Sequence, residues 1–226
     1  MLAALLINNP GRSQPGQPAG RPAGMLRAAW RSPLVRVWLA ATLLGGAAVN
    51  ALIVYQVPVT TRAGLPLGTA AAVAGFRGLA QLAGRLPLTA LTGKLGARTT
   101  LVLAYALAAA VTLLLFAGGA LAPVLVLSLL AGAAIGSVYA LQGVYAYELI
   151  DPGHLGTLLG IQQAVFAAGG ALGPLAAGAL LGATGSYTPA VTIISAGFAA
   201  AAAVLVLGRT PGPAAPSGTA AGQDRR

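Results

Sequence analysis

The stretch VLVLSLLAGAAIGSVYALQGVYAY, from Val124 to Tyr147, contains no charged side chain and is long enough to cross a lipid bilayer as one helix. The rest of the chain has a similar composition. Of its 226 residues, 57% are hydrophobic and only 7% are charged, and the mean hydropathy is +0.83. Soluble domains carry about 25% charged residues, so this chain has too few charges to cover a water-exposed surface. The composition therefore predicts an integral membrane protein.

Five more apolar segments of similar length accompany this stretch, separated by short connectors that contain Gly and Pro. The six predicted spans are Val37–Val57, Leu67–Leu91, Thr99–Gly118, Val124–Tyr147, Leu155–Gly182 and Pro189–Leu207. Helices are required because lipid cannot hydrogen-bond unpaired backbone groups, and the sequence lacks the alternation of a membrane β-barrel. The predicted fold class is an all-α membrane protein with six transmembrane helices.

Three regions are predicted along the chain. Residues 1–33 comprise an apolar amino-terminal remnant, Met1–Ile7, and a basic linker whose Pro, Gly and Gln content is typical of a flexible cytoplasmic segment. Residues 34–208 form the six-helix transmembrane bundle. Residues 209–226 are rich in Pro, Gly, Ala and Ser and are predicted to be a disordered cytoplasmic tail.

The basic residues are distributed unevenly among the connectors. Ten lie before the first span, between the second and third, or after the sixth: Arg12, Arg21, Arg27, Arg31, Arg36, Lys94, Arg98, Arg209, Arg225 and Arg226. Only Arg62 lies on the opposite side. Because cytoplasmic loops carry the excess of Lys and Arg, both termini are predicted to be cytoplasmic, in a multi-pass protein of the cell (inner or plasma) membrane. The net charge of +10 then reflects topology, and no folded basic face remains to bind nucleic acid.

Reactive side chains are scarce in this chain, which has no cysteine, one histidine and three acidic residues. Disulfides and thiolate metal sites are excluded, and neither a metal nor a cofactor is expected. So few titratable groups do not support most hydrolytic sites, so the chain is not predicted to be an enzyme.

Arg77 is the side chain that departs most from the apolar pattern, since it lies about ten residues into the second span. A central arginine costs between about 3 and more than 10 kcal/mol, so it must face a partner or a water-filled cavity. Gln81 and Arg85 share its helix face. Arg77 is interpreted as an anion site, with a structural ion pair or a snorkelling side chain as the alternative. For Arg85 a structural partner is favoured.

Other polar and small residues lie within the spans. Asn50 and Gln56 in the first span, and Tyr139 and Gln142 in the fourth, either line a cavity or join helices. Glycines recur at helical spacing in the fourth and fifth spans and indicate close packing, and a proline indicates a kink. These residues are Gly132, Gly136, Gly143, Gly169, Gly173, Pro174 and Gly178.

Two stretches resemble the major facilitator superfamily. The segment TALTGKLGARTTL, Thr89–Leu101, resembles that family's cytoplasmic loop motif, roughly G-x-L-a-D-R-x-G-R-R. The positions that match are Leu91, Lys94, Gly96 and Arg98, and those that depart are Thr89, Gly93 and Ala97. The segment Asp151–Ala190 resembles the family's last helical pair. In order and spacing the chain resembles the carboxyl-terminal six-helix half of such a transporter, with the monocarboxylate-transporter-like subgroup as a candidate.

The resemblance implies secondary active transport of a small solute, with an organic anion as a candidate, by alternating access. It implies that Arg77 binds a substrate carboxylate, as an arginine on this helix does in the monocarboxylate and oxalate–formate group. It also implies that the central cavity is lined by Asn50, Gln56, Gln81, Tyr139 and Gln142. Arg98 would form a cytoplasmic clamp with Glu148, and Arg85 and Lys94 are further basic partners for this acid.

One six-helix bundle supplies half of what alternating access requires. The chain is therefore expected either to associate with itself or with a second six-helix half, or to be a truncated product. The alternative function is a non-transporting membrane fragment, or a structural or regulatory membrane subunit. A channel is disfavoured because the sequence shows no filter loop and no ring of acids.

Overall fold

A computed structural model describes residues 32–149 and 155–208, and every regular element in these ranges is helical. The helices are α1 (Pro33–Arg62), α2 (Leu67–Ala83), α3 (Leu88–Leu95), α4 (Ala97–Thr112), α5 (Leu121–Leu149), α6 (Leu155–Thr184) and α7 (Thr188–Leu207), and a short 3₁₀ helix, Leu113–Ala117, extends α4. The predicted all-α fold is confirmed. Five of these elements are long and apolar enough to cross a membrane, namely α1, α4 with its 3₁₀ extension, α5, α6 and α7.

The second predicted span is not one continuous helix, because α2 ends at Ala83 and α3 begins at Leu88. Pro87 has no N–H group to donate to the carbonyl of Ala83, so the α-helical ladder lacks one hydrogen bond at this break. The hydroxyl oxygen of Ser137, on α5, lies 2.8 Å from the carbonyl oxygen of Gly84. The same hydroxyl also lies 2.9 Å from the carbonyl oxygen of Ala133 in its own helix, so it is shared between the two carbonyls and joins the break to α5.

The main helix contacts follow a pattern of internal repetition. Helix α1 packs along α6 and α7, helix α5 packs along α2 and α4, and α4 and α7 contact each other. Exchanging α1, α2 and α4 for α5, α6 and α7 reproduces these contacts. Repeats of three membrane helices are a recurring feature of transporter folds.

Glycines bring α5 onto α2. A Cβ atom at Gly132 would overlap the carbonyl oxygen of Arg77, and one at Gly136 would overlap that of Gln81. The two backbones therefore approach as closely as small-residue contacts allow. The backbone of Arg77 therefore packs directly against α5.

The contact between α6 and α1 uses the same device. A Cβ atom at Gly169 or Gly173 would overlap the carbonyl oxygen of Leu43 or Ala47, respectively. Helix α6 continues through Pro174 without ending. The two remaining glycines of the predicted set differ, since Gly143 has open space at its Cβ position and Gly178 lies beside the hydroxyl of Tyr55.

The outer surface of the bundle is apolar. Large hydrophobic side chains such as Leu67, Leu82, Leu175 and Leu207 are more than half exposed. Continuous apolar exposure of this kind is unfavourable in water and favourable in lipid. The described helices are therefore those of a multi-pass membrane protein surrounded by a bilayer.

Candidate functional site

Arg77 lies at one end of a polar chain that joins three helices. Its side chain, on α2, is 8% exposed, and its Nη1 donates to the Oε1 atom of Gln56 on α1 at 2.5 Å. The Nε2 atom of Gln56 donates in turn to the hydroxyl oxygen of Ser128 on α5 at 2.6 Å. Gln56 is 1% exposed and Ser128 is fully buried. The sequence therefore places one guanidinium in the interior and fixes it through a buried amide.

The other guanidinium nitrogens of Arg77 make no hydrogen bond to any residue that the structure describes. Within the described ranges, the one buried side-chain nitrogen or oxygen without a hydrogen-bond partner is Nε1 of Trp38. The unpartnered nitrogens of Arg77 are therefore not buried. One edge of the guanidinium is therefore held by Gln56, while its remaining donors reach accessible space. Guanidinium donors arranged in this planar fork match the two oxygens of a carboxylate.

The charge of Arg77 has no acidic neighbour in the described part of the chain. The one acid described there is Glu148, near the end of α5, which lies about 24 Å along that helix from Gly132, the residue that contacts the backbone of Arg77. At that distance screening and intervening protein reduce the interaction to a small term. The amide of Gln56 supplies a dipole but no countercharge.

One member of a packed pair of aromatic rings lies near the arginine. Tyr139, on α5, is 38% exposed and packs edge-to-face against Phe166 of α6, with ring centroids 5.5 Å apart. The Tyr139 side chain is close enough to Arg77 for the two to interact electrostatically. The site thus combines donors from a guanidinium with an apolar wall, an arrangement that suits binding of a small anion with an apolar body. It includes no nucleophile and no base.

Gln142, another candidate cavity residue, belongs to a different network. Its Oε1 accepts a hydrogen bond from the hydroxyl of Thr42 at 3.2 Å, and its Nε2 donates to the hydroxyl of Tyr105 at 3.1 Å. All three side chains are buried, and they join α1, α4 and α5. The structure therefore does not bring Gln142 to Arg77.

The other two amides make no hydrogen bond to the guanidinium. Asn50 donates to the carbonyl oxygen of Gly46 in its own helix at 3.0 Å, and it lies against Gly170 of α6. Gln81 is half-buried, and its side chain makes no hydrogen bond within the described ranges. Of the five uncharged side chains predicted to line a cavity, the structure brings Gln56 and Tyr139 to Arg77.

The loop segment at Thr89–Leu101 places its arginine differently from the predicted clamp. Arg98 donates through Nε to the carbonyl oxygen of Leu205 at 3.1 Å and through Nη2 to that of Gly208 at 2.7 Å. It thus binds carbonyls at the end of α7, where the helix dipole is negative, rather than Glu148. Glu148 and Arg85 are both exposed, and Asp151 lies outside the described residues.

The rest of the loop segment separates two helices. Gly96 lies between α3 and α4 with φ +79°, a left-handed conformation that glycine adopts without strain. Lys94 is exposed and Leu91 is half-buried. Gly96 thus forms the turn, and Arg98 anchors the start of α4 to the end of α7.

Sequence reasoning did not single out Ser128, Thr42 or Tyr105. Hydroxyl groups are common within membrane helices, where they often bond their own backbone, so their presence in an apolar run indicates little. The signal that distinguishes Ser128 is its partner, a buried glutamine on another helix, and this becomes visible only when the helices are packed.

Comparison with known proteins identifies one family. The model of the Major Facilitator Superfamily matches residues 37–225, which include the helices from α1 onward and the arginine site. No curated protein sequence matches the chain.

Proposed function

Since the chain belongs to the major facilitator superfamily, whose members are transporters, we propose that it carries a small organic anion across a membrane as one half of an alternating-access transporter. The observation that carries this proposal is the guanidinium of Arg77. It is buried, it is held on one side by Gln56, and it offers its remaining donors to accessible space.

The buried charge of Arg77 indicates a role in binding. An arginine inside a membrane bundle is unfavourable unless it faces a partner or water, so such residues mark ion and substrate pathways. The described helices give Arg77 a neutral amide as its hydrogen-bond partner and Tyr139 as a neighbouring aromatic side chain, and no carboxylate. An anionic solute would supply the missing charge, and its apolar body would contact Tyr139 and Phe166.

The proposed half-transporter has six crossings, with α2 and α3 together making the second. Helix α2 has 17 residues, which cover about 25 Å, slightly less than the ~30 Å hydrocarbon core. The eight residues of α3 supply the remainder beyond the break. With six crossings and the basic residues on one side, both termini are cytoplasmic and the membrane is the cell (inner or plasma) membrane.

A second bundle completes the proposed transporter. Alternating access is the rocking of two bundles about a site between them. Helix α6 supports this arrangement because it is the least buried of the five long helices and also the least apolar of them. The second bundle is either another copy of this chain or a separate six-helix half.

Uptake into proteoliposomes tests the proposal. The probes are benzoate and propionate, each compared with its uncharged amide. We expect carboxylate uptake by the wild-type chain, loss of that uptake in Arg77→Gln, and normal uptake in Arg85→Gln, a matched control at an exposed arginine of the same segment. Normal uptake by Arg77→Gln would exclude the anion site. Absence of carboxylate uptake, together with stable capture of another membrane protein, would favour the alternative role as a structural or regulatory subunit.

A further inference from the structure

We propose that Ser128 is a positioning residue for the anion site, which orients the amide of Gln56 so that Arg77 is held by a neutral group and keeps its full charge for the solute. This inference rests on the proposed function. It concerns a residue that makes no hydrogen bond to Arg77 and whose hydrogen-bond partner is Gln56.

The direction of the polar chain is fixed by donor chemistry. A guanidinium can only donate, so the atom of Gln56 that faces Arg77 must be the carbonyl oxygen. The amide nitrogen then points away and needs an acceptor, because Gln56 is buried. The hydroxyl oxygen of Ser128, 2.6 Å from that nitrogen, is the acceptor. Arg77 thus sets the orientation of the amide, and Ser128 stabilises it by accepting from the nitrogen that points away.

The neutral amide of Gln56 affects whether the site prefers an anion to an uncharged solute. A carboxylate in place of the Gln56 amide would hold the guanidinium as firmly but would cancel its charge. With the amide, the site retains one positive charge and favours an anion with one negative charge over an uncharged molecule of the same shape. The preference for an anion thus depends on the neutral side chain of Gln56. It also depends on Ser128, which keeps the amide oxygen of Gln56 turned to Arg77.

Removing the hydroxyl of Ser128 leaves the amide nitrogen of Gln56 buried without an acceptor. The amide then relaxes toward another partner, and Arg77 loses the contact that fixes its position. A solute that depends on that position binds less tightly, whereas an uncharged analogue is unaffected. A purely structural hydroxyl would lower thermal stability and leave this preference unchanged.

Calorimetric titration of the purified full chain in detergent tests the inference, with benzoate and benzamide as probes. We expect Ser128→Ala to lower benzoate affinity by about fivefold to tenfold without changing benzamide affinity, and Ser128→Thr to restore it. Gln56→Glu should remove the preference for benzoate altogether. The matched control is Ser195→Ala, since Ser195 is also a buried hydroxyl but donates to the carbonyl oxygen of Ala109, between α7 and α4.

The outcomes separate the two proposals. If the wild-type chain prefers benzoate and Arg77→Gln abolishes the preference, but Ser128→Ala behaves like Ser195→Ala, the positioning role is wrong and the anion site stands. Retention of the preference in Gln56→Glu likewise contradicts the role of the neutral amide. If the wild-type chain shows no preference for either carboxylate over its amide, the proposed function fails and this inference fails with it.

Discussion

Arg98, in the first turn of α4, binds the carbonyl oxygen of Leu205 at the end of α7, so the loop after α3 is anchored to the last helix of the bundle. The donors of Arg98 meet carbonyls that lack partners within α7, at the negative end of its dipole. The contact therefore joins the middle of the chain to its last described helix.

Loss of this cap should destabilise the bundle. We expect Arg98→Gln to lower the free energy of unfolding by about 1–2 kcal/mol, because charged hydrogen bonds to the end of α7 are lost. Thermal unfolding in detergent, followed by size-exclusion chromatography, measures the effect. Lys94→Gln is the control, since Lys94 is exposed in the same loop. Equal melting temperatures for the two variants would show that the cap is not stabilising.

Close packing at the glycines can be tested with one added methyl group. Gly173→Ala places a Cβ atom on the backbone of Ala47, whereas Gly143→Ala places it in open space. Overpacking of this kind typically costs about 1–3 kcal/mol. We expect Gly173→Ala to unfold at a lower temperature than the wild-type chain and Gly143→Ala to match it or exceed it. Identical behaviour of the two variants would contradict the close contact between α1 and α6.

The buried network around Gln142 predicts a stability effect without an effect on solute binding. Tyr105→Phe removes the acceptor of the Gln142 amide and should cost about 1–3 kcal/mol, because that donor is left buried. Tyr147→Phe is the control, since Tyr147 is exposed on the same helix as Gln142. Melting temperature and benzoate affinity are measured together. A loss of benzoate affinity at unchanged stability would instead show that Gln142 contributes to solute binding.

These contacts also show what the sequence could and could not indicate. The long apolar runs predicted the helices, because twenty uncharged residues can satisfy their backbone in lipid only as a helix. The break at Gly84 and Pro87 was overlooked, because apolar composition continues across it while the missing N–H of Pro87 interrupts the ladder. Hydropathy reports where a segment prefers to lie, and it does not report backbone continuity.

The candidate site likewise contains residues that the sequence indicated and residues that it did not. Arg77 stood out because a buried charge is unfavourable wherever its helix faces. Its partner did not, since a rotation of α1 by one residue, about 100°, would turn Gln56 away and bring another side chain inward. The clamp of Arg98 with Glu148 was expected from opposite charges near one membrane surface, whereas the packed helices bring the end of α7 to Arg98 instead.

The contributions of the Tyr139 hydroxyl and of its aromatic ring can be tested separately. Tyr139→Phe keeps the edge-to-face contact with Phe166 but removes the polar group near Arg77. We expect a decrease of about threefold to tenfold in benzoate affinity, the range of one hydrogen bond, and no change in melting temperature. Calorimetry and thermal unfolding measure the two quantities. An unchanged benzoate affinity would mean that the ring alone contributes to the site.

Membrane topology can be tested cleanly because the chain has no cysteine, so a single introduced cysteine is the only thiol. Lys94 lies near the end of α3 and Thr184 at the end of α6; both are exposed, and the chain makes three crossings between them, α4, α5 and α6. An odd number of crossings places them on opposite sides, and the basic residues near Lys94 place it in the cytoplasm. In intact cells, an impermeant maleimide should label Thr184→Cys, and it should label Lys94→Cys only after the membrane is permeabilised. Labelling of Lys94→Cys in intact cells would reverse the topology, and labelling of both would contradict the number of crossings between them.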